Sequence, residues 1–247
     1  MREKAVRIIR IFQAGHFELG QTIELSEEAG HHVGVVLRMQ LGMHLTLFCG
    51  DNREFQAIIT DIRKKKVTVN ITAVQTMNRE SPRNIHLAQA ISKGDRMEWV
   101  IQKAVELGVK SITPLITAHC AVKLDDARLT KKQQQWQAIA ISACEQSGRN
   151  YVPLIHPVHS FESYLQHRDT SFKLILHPTG AQSFHDLHFA AGDITLLIGP
   201  EGGLSEEEVC RAKFNQFVSI CLGPRILRTE TAAIAALSIL QAIAGDL

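Results

Sequence analysis

Near the C-terminus, Leu222-Gly223-Pro224-Arg225-Ile226-Leu227-Arg228-Thr229-Glu230 crowds two arginines and a glutamate into one short turn. Fixed guanidinium groups stabilise negative charge that develops on a bound group, and a neighbouring carboxylate can accept a proton. Upstream, Gly199-Pro200-Glu201-Gly202-Gly203 adds a second carboxylate and three glycines that let a flat ligand approach the backbone closely. Apolar runs at Thr195 to Ile198 and Phe217 to Leu222 precede these loops, and each ends in a Gly-Pro pair. Strands that break at glycine before a helix lie at the sheet edge where open α/β folds hold ligands. The two loops therefore fit opposite walls of one pocket. Two plain strand–helix turns are the competing reading of glycine and proline alone. Glu230 has its own competing reading, a first-turn carboxylate favoured by the helix dipole.

Several other chemistries are excluded by pattern. The chain has no G-x-x-x-x-G-K-[ST] phosphate loop, no G-x-G-x-x-G dinucleotide turn, no H-E-x-x-H metal helix and no G-x-S-x-G elbow. His156/His159 and His185/His188 have three-residue spacing but no third ligand nearby, and His31-His32 reads as structural, so no metal is expected. Five scattered cysteines with no C-x-x-C pair fit reduced thiols in a cytoplasmic protein. The N-terminus lacks a signal-peptide core, and the longest apolar segment, Ala232 to Ala244, is too short to span a bilayer. Lys and Arg number 27 against 25 Asp and Glu, so a nucleic-acid face would have to come from local clustering.

The elements that must position the loops follow from periodicity. Residues 1–75 are rich in short β-branched runs: Val6 to Ile11, Thr22 to Leu25, His44 to Phe48, Glu54 to Ile62 and Val67 to Val74. One helical piece, Glu27 to Met39, interrupts them with Ser26 as its N-cap. A small barrel or curled sheet is the natural product. Basic residues cluster there, at Arg2, Lys4, Arg7 and Arg10, at Arg63 to Lys66, and at Arg38, either as phosphate contacts or as a solvated face. The polar, proline-containing stretch 76–83 reads as a linker. From 84 to 247 strands alternate with helices, which predicts a largely parallel sheet covered on both faces. Strands are expected at Ile85 to Ile91, at Ser111 to Leu115 (ended by a turn around Pro114), at Val152 to Ile155 and at Phe172 to Leu176. Helices are expected after an Asp95/Glu98 capping box, over Asp126 to Ser147, after a Ser205/Glu208 capping box, and after Thr229 as N-cap.

IGPEGG followed by LGPRILRTETAA resembles the second and third motifs of the SPOUT class of S-adenosylmethionine-dependent RNA methyltransferases. The resemblance extends to KGDRMEWVIQKAVELG, TPLIT, ACEQSGRN and HHVGVVLRM, and so to nearly the whole chain. Taken together it is close to the ribosomal RNA small subunit methyltransferase E family, which methylates uridine N3 in 16S rRNA. The resemblance implies an α/β fold in which the C-terminal SPOUT domain has a parallel sheet tied in a deep trefoil knot. It also implies a small N-terminal PUA-like β-barrel that binds RNA. A homodimer is implied, with each active site at the subunit interface and the helix Thr231 to Ala244 near that interface. S-adenosylmethionine is the implied cofactor. Leu176, His177, Ile198, Gly199, Pro200, Glu201, Gly202, Gly203, Leu222, Gly223, Ile226, Leu227, Thr229 and Ala232 are expected to hold it. Arg228, Arg225 and Glu230 are expected to face the uridine, with Glu230 or Glu201 accepting its proton. Arg10, Arg38, Lys93, Lys103, Arg149 and Asn150 are the expected RNA contacts. Thr179 to Ser183 departs from the family pattern. Ribose 2′-O methylation and a non-catalytic RNA-binding assembly factor are the alternatives.

Overall fold

The computed structural model describes residues 9–63, 66–120, 126–166, 171–179, 182–187, 189 and 191–247. Arg2, Lys4, Arg7, Lys64, Lys65, Gly180, Ala181 and His188 therefore lie outside the described residues. The chain packs as two units, Met1–Glu80 with Cys144–Val152, and Ser81–Ala143 with Pro153–Leu247.

In the first unit, period-two alternation produces strands. β1 (Arg10–Phe12), β2 (Thr22–Glu24), β3 (His44–Phe48), β4 (Arg53–Arg63) and β5 (Lys66–Thr76) form one sheet in the order β1-β3-β4-β5-β2. The β1–β3 pair is parallel and the others are antiparallel. Val67, Val69 and Ile71 of β5 are fully buried with Leu47, Phe55 and Ile59, while the alternate positions face outward. Register shifts at Gln56/Ala57 and Ile59/Asp61 bend the long β4–β5 hairpin, as bulges do.

The helical piece is shorter than its sequence suggests. Ser26 does cap it, accepting from the Ala29 N–H, but α1 ends at His31 (Glu27–His31) and a π-helical turn, His32–Val36, follows. Gly30, Gly34 and three valines are weak helix formers, and the regular ladder gives way there. Arg38 then takes a left-handed conformation, φ 51°, that turns the chain away.

The second unit is built on an eight-stranded sheet. Its strands are β6 (Ile85–Ala90), β7 (Ser111–Ile116), β8 (Leu154–Ile155), β9 (His159–Ser160), β10 (Phe172–Leu176), β11 (Gln182–Ser183), β12 (Ile194–Ile198) and β13 (Val218–Cys221). Their order is β11-β13-β10-β12-β6-β7-β8, with β9 also on β7, and every described pairing is parallel. β12 is buried at all five positions, as expected for a parallel strand covered on both faces. Helices α2 (Arg96–Glu106), α3 (Asp126–Ser147), α4 (Phe161–Leu165), α5 (Glu206–Phe214) and α6 (Thr229–Ala244), with a short 3-10 turn at Phe184–Asp186, complete the described helices. α2 buries Met97, Val100, Ile101, Ala104 and Val105, the stripe that its i, i+3, i+4 spacing dictates.

Two local expectations fail here. Pro114 does not end its strand but lies inside β7, between the residues that pair with β8 and those that pair with β9. Its missing N–H falls in that gap and interrupts no ladder. Asp95 precedes α2 but makes no capping hydrogen bond, because its backbone is already helical (φ −82°, ψ −1°) and directs the side chain away. No helix among the described residues is long and apolar enough to cross a membrane.

Candidate active site

Neighbouring strands β13, β10 and β12 end side by side, and the chain leaving each of them lines one cavity of about 610 Å³. β10 contributes Leu176, His177 and Pro178. β12 contributes Ile198 and the loop Gly199, Pro200, Glu201, Gly202, Gly203 and Leu204. The chain after β13 contributes Leu222, Gly223, Arg225, Ile226, Leu227, Arg228, Thr229, Glu230 and Ala232. The sequence-derived cofactor residues and the Arg225, Arg228 and Glu230 trio thus share one wall system. Arg96, from α2, is a lining residue that the sequence reading quoted within a motif without assigning it a role.

Backbone geometry explains the glycines. A Cβ at Gly199 would stand 3.0 Å from Leu204 Cγ and 3.2 Å from the Leu204 nitrogen, and one at Gly202 would stand 3.0 Å from His119 Cβ. Gly203 turns the loop at φ +72° and donates its N–H to the Pro200 carbonyl at 2.9 Å. His119 Nδ1 lies 3.1 and 3.2 Å from the Gly202 and Gly203 carbonyl oxygens and donates to this pair. Ser205 and Glu208 form the expected capping box, and Glu208 Oε1 also accepts from the Ala118 N–H at 2.7 Å. The loop is thereby fixed at both ends.

Thr229 acts differently from expectation. The residue at the N-cap of α6 is Arg228, in extended conformation and without a side-chain cap bond, and Thr229 is the first helical residue. Its hydroxyl donates to the Gly199 carbonyl at 2.6 Å and accepts from Gln89 Nε2 at 3.0 Å. A hydroxyl engaged across the cavity floor is unavailable for capping, and it ties the two loops together.

The two carboxylates differ in how fully they are paired. Glu201 Oε1 accepts from Arg96 Nη1 at 2.6 Å and from the Lys93 N–H at 2.9 Å. Burial pushes its carboxyl up, but its own backbone N–H, that of Lys93 and the Arg96 guanidinium together hold it below the ordinary value. Among the described residues Glu230 has only a long ion pair, Arg96 Nε to Oε1 at 3.8 Å. Its Oε2 is buried with no hydrogen-bond donor among the described residues. Arg225 and Arg228 are exposed and form no ion pair among the described residues. Burial, assisted by Lys213, lowers the His177 imidazole, whose Nδ1 accepts from the Thr179 hydroxyl at 3.0 Å. Among the described residues no group of three His, Cys, Asp or Glu side chains is placed to hold a metal ion.

The six residues named for RNA contact fall into different settings. Arg10 Nη1 donates to Glu54 Oε1 and Nη2 to Asn150 Oδ1, both at 2.6 Å, and its guanidinium lies 4.9 Å from the Phe48 ring centre. Arg149 pairs with Glu80, and Asn150 is fully buried, donating to the Met77 carbonyl at 2.7 Å. Arg79 also pairs with Glu54. Burial works against the charged Glu54 carboxyl, but Arg79, Arg10 and Asn150 hold it below the ordinary value. These three named residues thus meet inside the first unit with most of their polar atoms engaged by protein, Arg10 Nε being buried without an acceptor among the described residues. Arg38 and Lys93 are exposed, and Lys103 pairs with Glu106 at 2.8 Å on α2. Glu54 and Glu80 carried no sequence signal, because their partners lie far along the chain.

Family and structural comparisons fit this architecture. Residues 79–241 match the model of the RNA methyltransferase domain, and residues 25–72 match that of the RNA methyltransferase PUA domain. The ribosomal RNA small subunit methyltransferase E of Buchnera aphidicola (strain Sg) is 38% identical over 98% of this chain and 98% of its own length. That of Bacillus subtilis (strain 168) is 36% identical over 90% of each. A Legionella pneumophila protein solved in complex with the cofactor SAM is 54% identical, with a TM-score of 0.95 over 98% of this chain and 100% of that one. The Neisseria gonorrhoeae ribosomal RNA small subunit methyltransferase E, bound to S-adenosyl methionine, is 38% identical, with a TM-score of 0.91 over 97% of this chain and 99% of that one. A PUA unit, a parallel-sheet methyltransferase unit and full-length relatives on both counts lead to one assignment: the chain belongs to the ribosomal RNA small subunit methyltransferase E family.

Proposed function

We propose that this protein methylates N3 of a uridine in 16S rRNA of the small ribosomal subunit, with S-adenosylmethionine as methyl donor. One observation carries the reading: among the described residues the glycine-walled cavity adjoins an arginine without an ion pair, Arg228, and a buried carboxylate oxygen without a donor, Glu230 Oε2. The cavity suits such a cofactor in size, and Gly199 and Gly202 leave backbone where a Cβ would not fit. Bound there, S-adenosylmethionine supplies an already activated methyl group. The residues of this chain then have three tasks. The loops at Gly199 and Leu222 hold the cofactor through main-chain groups and apolar side chains. Glu230 Oε2 accepts the imide proton that must leave N3 before the nitrogen can attack. Arg228, assisted by Arg225, offsets the negative charge that spreads onto the uracil carbonyl oxygens. Glu201 is a poorer base, since its charged form is held by three donors, and its task is to fasten the loop to Arg96 and Lys93.

Arg38 and Lys93, both exposed, are the basic groups of this reading that remain available to RNA phosphates, whereas Arg10, Arg149 and Asn150 act as scaffold. The reading also includes a homodimer: Ile226 stands 87% exposed at the cavity rim, where a second copy would cover it.

The deciding experiment is methyl transfer to small subunits lacking the modification, followed by mass spectrometry of the nucleosides. N3-methyluridine is the expected product, and a ribose 2′-O-methyl product or no transfer would overturn the reading. Arg228→Ala is expected to lower kcat about 10²–10³-fold, the range seen when one charge-stabilising donor is removed, with cofactor affinity retained.

A further inference from the structure

A second cavity of about 710 Å³ adjoins the first and shares Arg96, Arg228 and Glu230 with it. Its remaining wall includes Lys93, Thr231 and the side chain of Trp99. Trp99 is 46% exposed, although it sits on α2 among five buried apolar residues, whereas the other tryptophan, Trp136, is 2% exposed. The largest apolar side chain of the helix is thus left at a cavity instead of joining the core. Three cationic side chains, Lys93, Arg96 and Arg228, also line that cavity, as does Glu230, one of whose oxygens is buried with no donor among the described residues. An open aromatic face, cations for a phosphate and carboxylate acceptors, Asp95 beside Glu230, together form the recognition set for one unstacked nucleotide.

We propose that this second cavity receives the target nucleotide and that Trp99 is the face on which its base stacks. This rests on the functional reading above and assigns the substrate side of that site. With the ring on Trp99, the base edge is directed toward Glu230 and Arg228, which border both cavities. Uracil presents an N–H to the Glu230 oxygen, whereas cytosine would present a lone pair there and be repelled. A base whose N3 lies on its pairing edge must leave its partner before reaction, and an aromatic face compensates for the stacking lost in the RNA. Trp99 is a positioning residue: it holds the ring and exchanges no proton with it.

The test uses the full chain, undermethylated small subunits, and Trp99→Ala and Trp99→Phe variants. Trp99→Ala is expected to lower kcat/KM about 5- to 150-fold, the range that corresponds to 1–3 kcal/mol for one base–aromatic stack. Cofactor affinity by calorimetry is expected to stay unchanged, and Trp99→Phe is expected to restore most of the activity. A short single-stranded RNA containing one uridine is expected to quench the indole emission of the wild type and not that of Trp99→Phe, a readout that needs no turnover. Unchanged kcat/KM in Trp99→Ala, a parallel loss of cofactor affinity, or equal quenching in Trp99→Phe would each overturn the proposal. Product identification in the wild-type arm reports separately on the functional reading, since the ratio of variant to wild type is scored whichever atom carries the methyl.

Discussion

The molecule holds two gatherings of arginine and glutamate, one in each unit, and they are built on opposite principles. In the first unit Arg10, Arg79 and Asn150 converge on Glu54, and Arg149 meets Glu80. The side chains of Arg10 and Glu54 are 10% and 6% exposed. Every carboxylate there is matched by donors, which is the condition under which buried charge is tolerated. At the cavity the same residue types are left incomplete. Arg225 and Arg228 face outward without an ion pair among the described residues, and one oxygen of Glu230 is buried without a donor. Of the buried polar atoms in the first-unit network, only Arg10 Nε lacks a partner among the described residues, and the carboxylates are all met. A network with its charges matched holds a fold, whereas one with a carboxylate oxygen left over retains interaction energy for a ligand. Residue type alone does not separate the two; partner accounting does.

Breaking the closed network should have the largest effect on stability. Glu54→Gln leaves Arg10 buried and its charge uncompensated, and removal of one partner from a buried pair costs about 3–5 kcal/mol. Urea unfolding of the variant should show that loss, and an effect below 1 kcal/mol would refute the view that Glu54 anchors the unit. The sign with pH follows from the carboxyl's depressed value. Its stabilisation is complete above the unfolded-state value of about 4.3 and is lost as pH falls through the folded-state value. Glu145, raised by burial, acts in the opposite sense: its folded form prefers the proton, so it costs stability as pH rises past about 4.3. Glu54→Gln should therefore flatten the acid limb of the stability profile or reverse its slope.

An intermediate effect is expected where the open site rests on a closed hydrogen bond. Thr229→Val keeps the shape but removes the donor to Gly199, in a part-buried setting, and the acceptor for Gln89, in a buried one. Leaving such groups unsatisfied costs about 1–3 kcal/mol. Because the bond joins the two loops, cofactor affinity should weaken together with Tm. Calorimetric titration beside a thermal melt checks this, and a fall in Tm with unchanged affinity would show that the loops do not depend on each other.

This contrast also governs what could be read from sequence. Strands β5, β10 and β12 and the buried face of α2 were legible because alternation and i, i+3, i+4 spacing are local signals. The cavity loops were legible because glycine and proline mark the strand ends directly. The closed network was not: Arg10 meets Asn150 across 140 positions and Glu54 across 44, and no local pattern encodes such pairings. Arg10, Arg149 and Asn150 read as RNA contacts because a cation or an amide taken alone looks the same whether its partner is a phosphate or a distant protein group. Capping motifs failed where the backbone or a tertiary partner took precedence, at Asp95 and at Thr229. Trp99 escaped notice because spacing leaves it off the buried stripe of α2 but says nothing of the cavity beside it, which only coordinates show.

The smallest stability effect is expected at Arg225, and its smallness is informative. The side chain is exposed, lines the cavity and has no ion pair among the described residues. Substitutions at such positions usually change stability by no more than about 0.5 kcal/mol. Arg225→Ala should therefore unfold in urea at nearly the wild-type midpoint while transferring methyl groups more slowly to small subunits. The pair of results matters more than either alone. A group that holds the fold loses stability when removed, as Glu54 should, whereas a group held in reserve for a ligand loses function at constant stability. If Arg225→Ala instead lost several kcal/mol with its residual activity intact, the cavity arginines would be structural charges, and the distinction between the two gatherings would collapse.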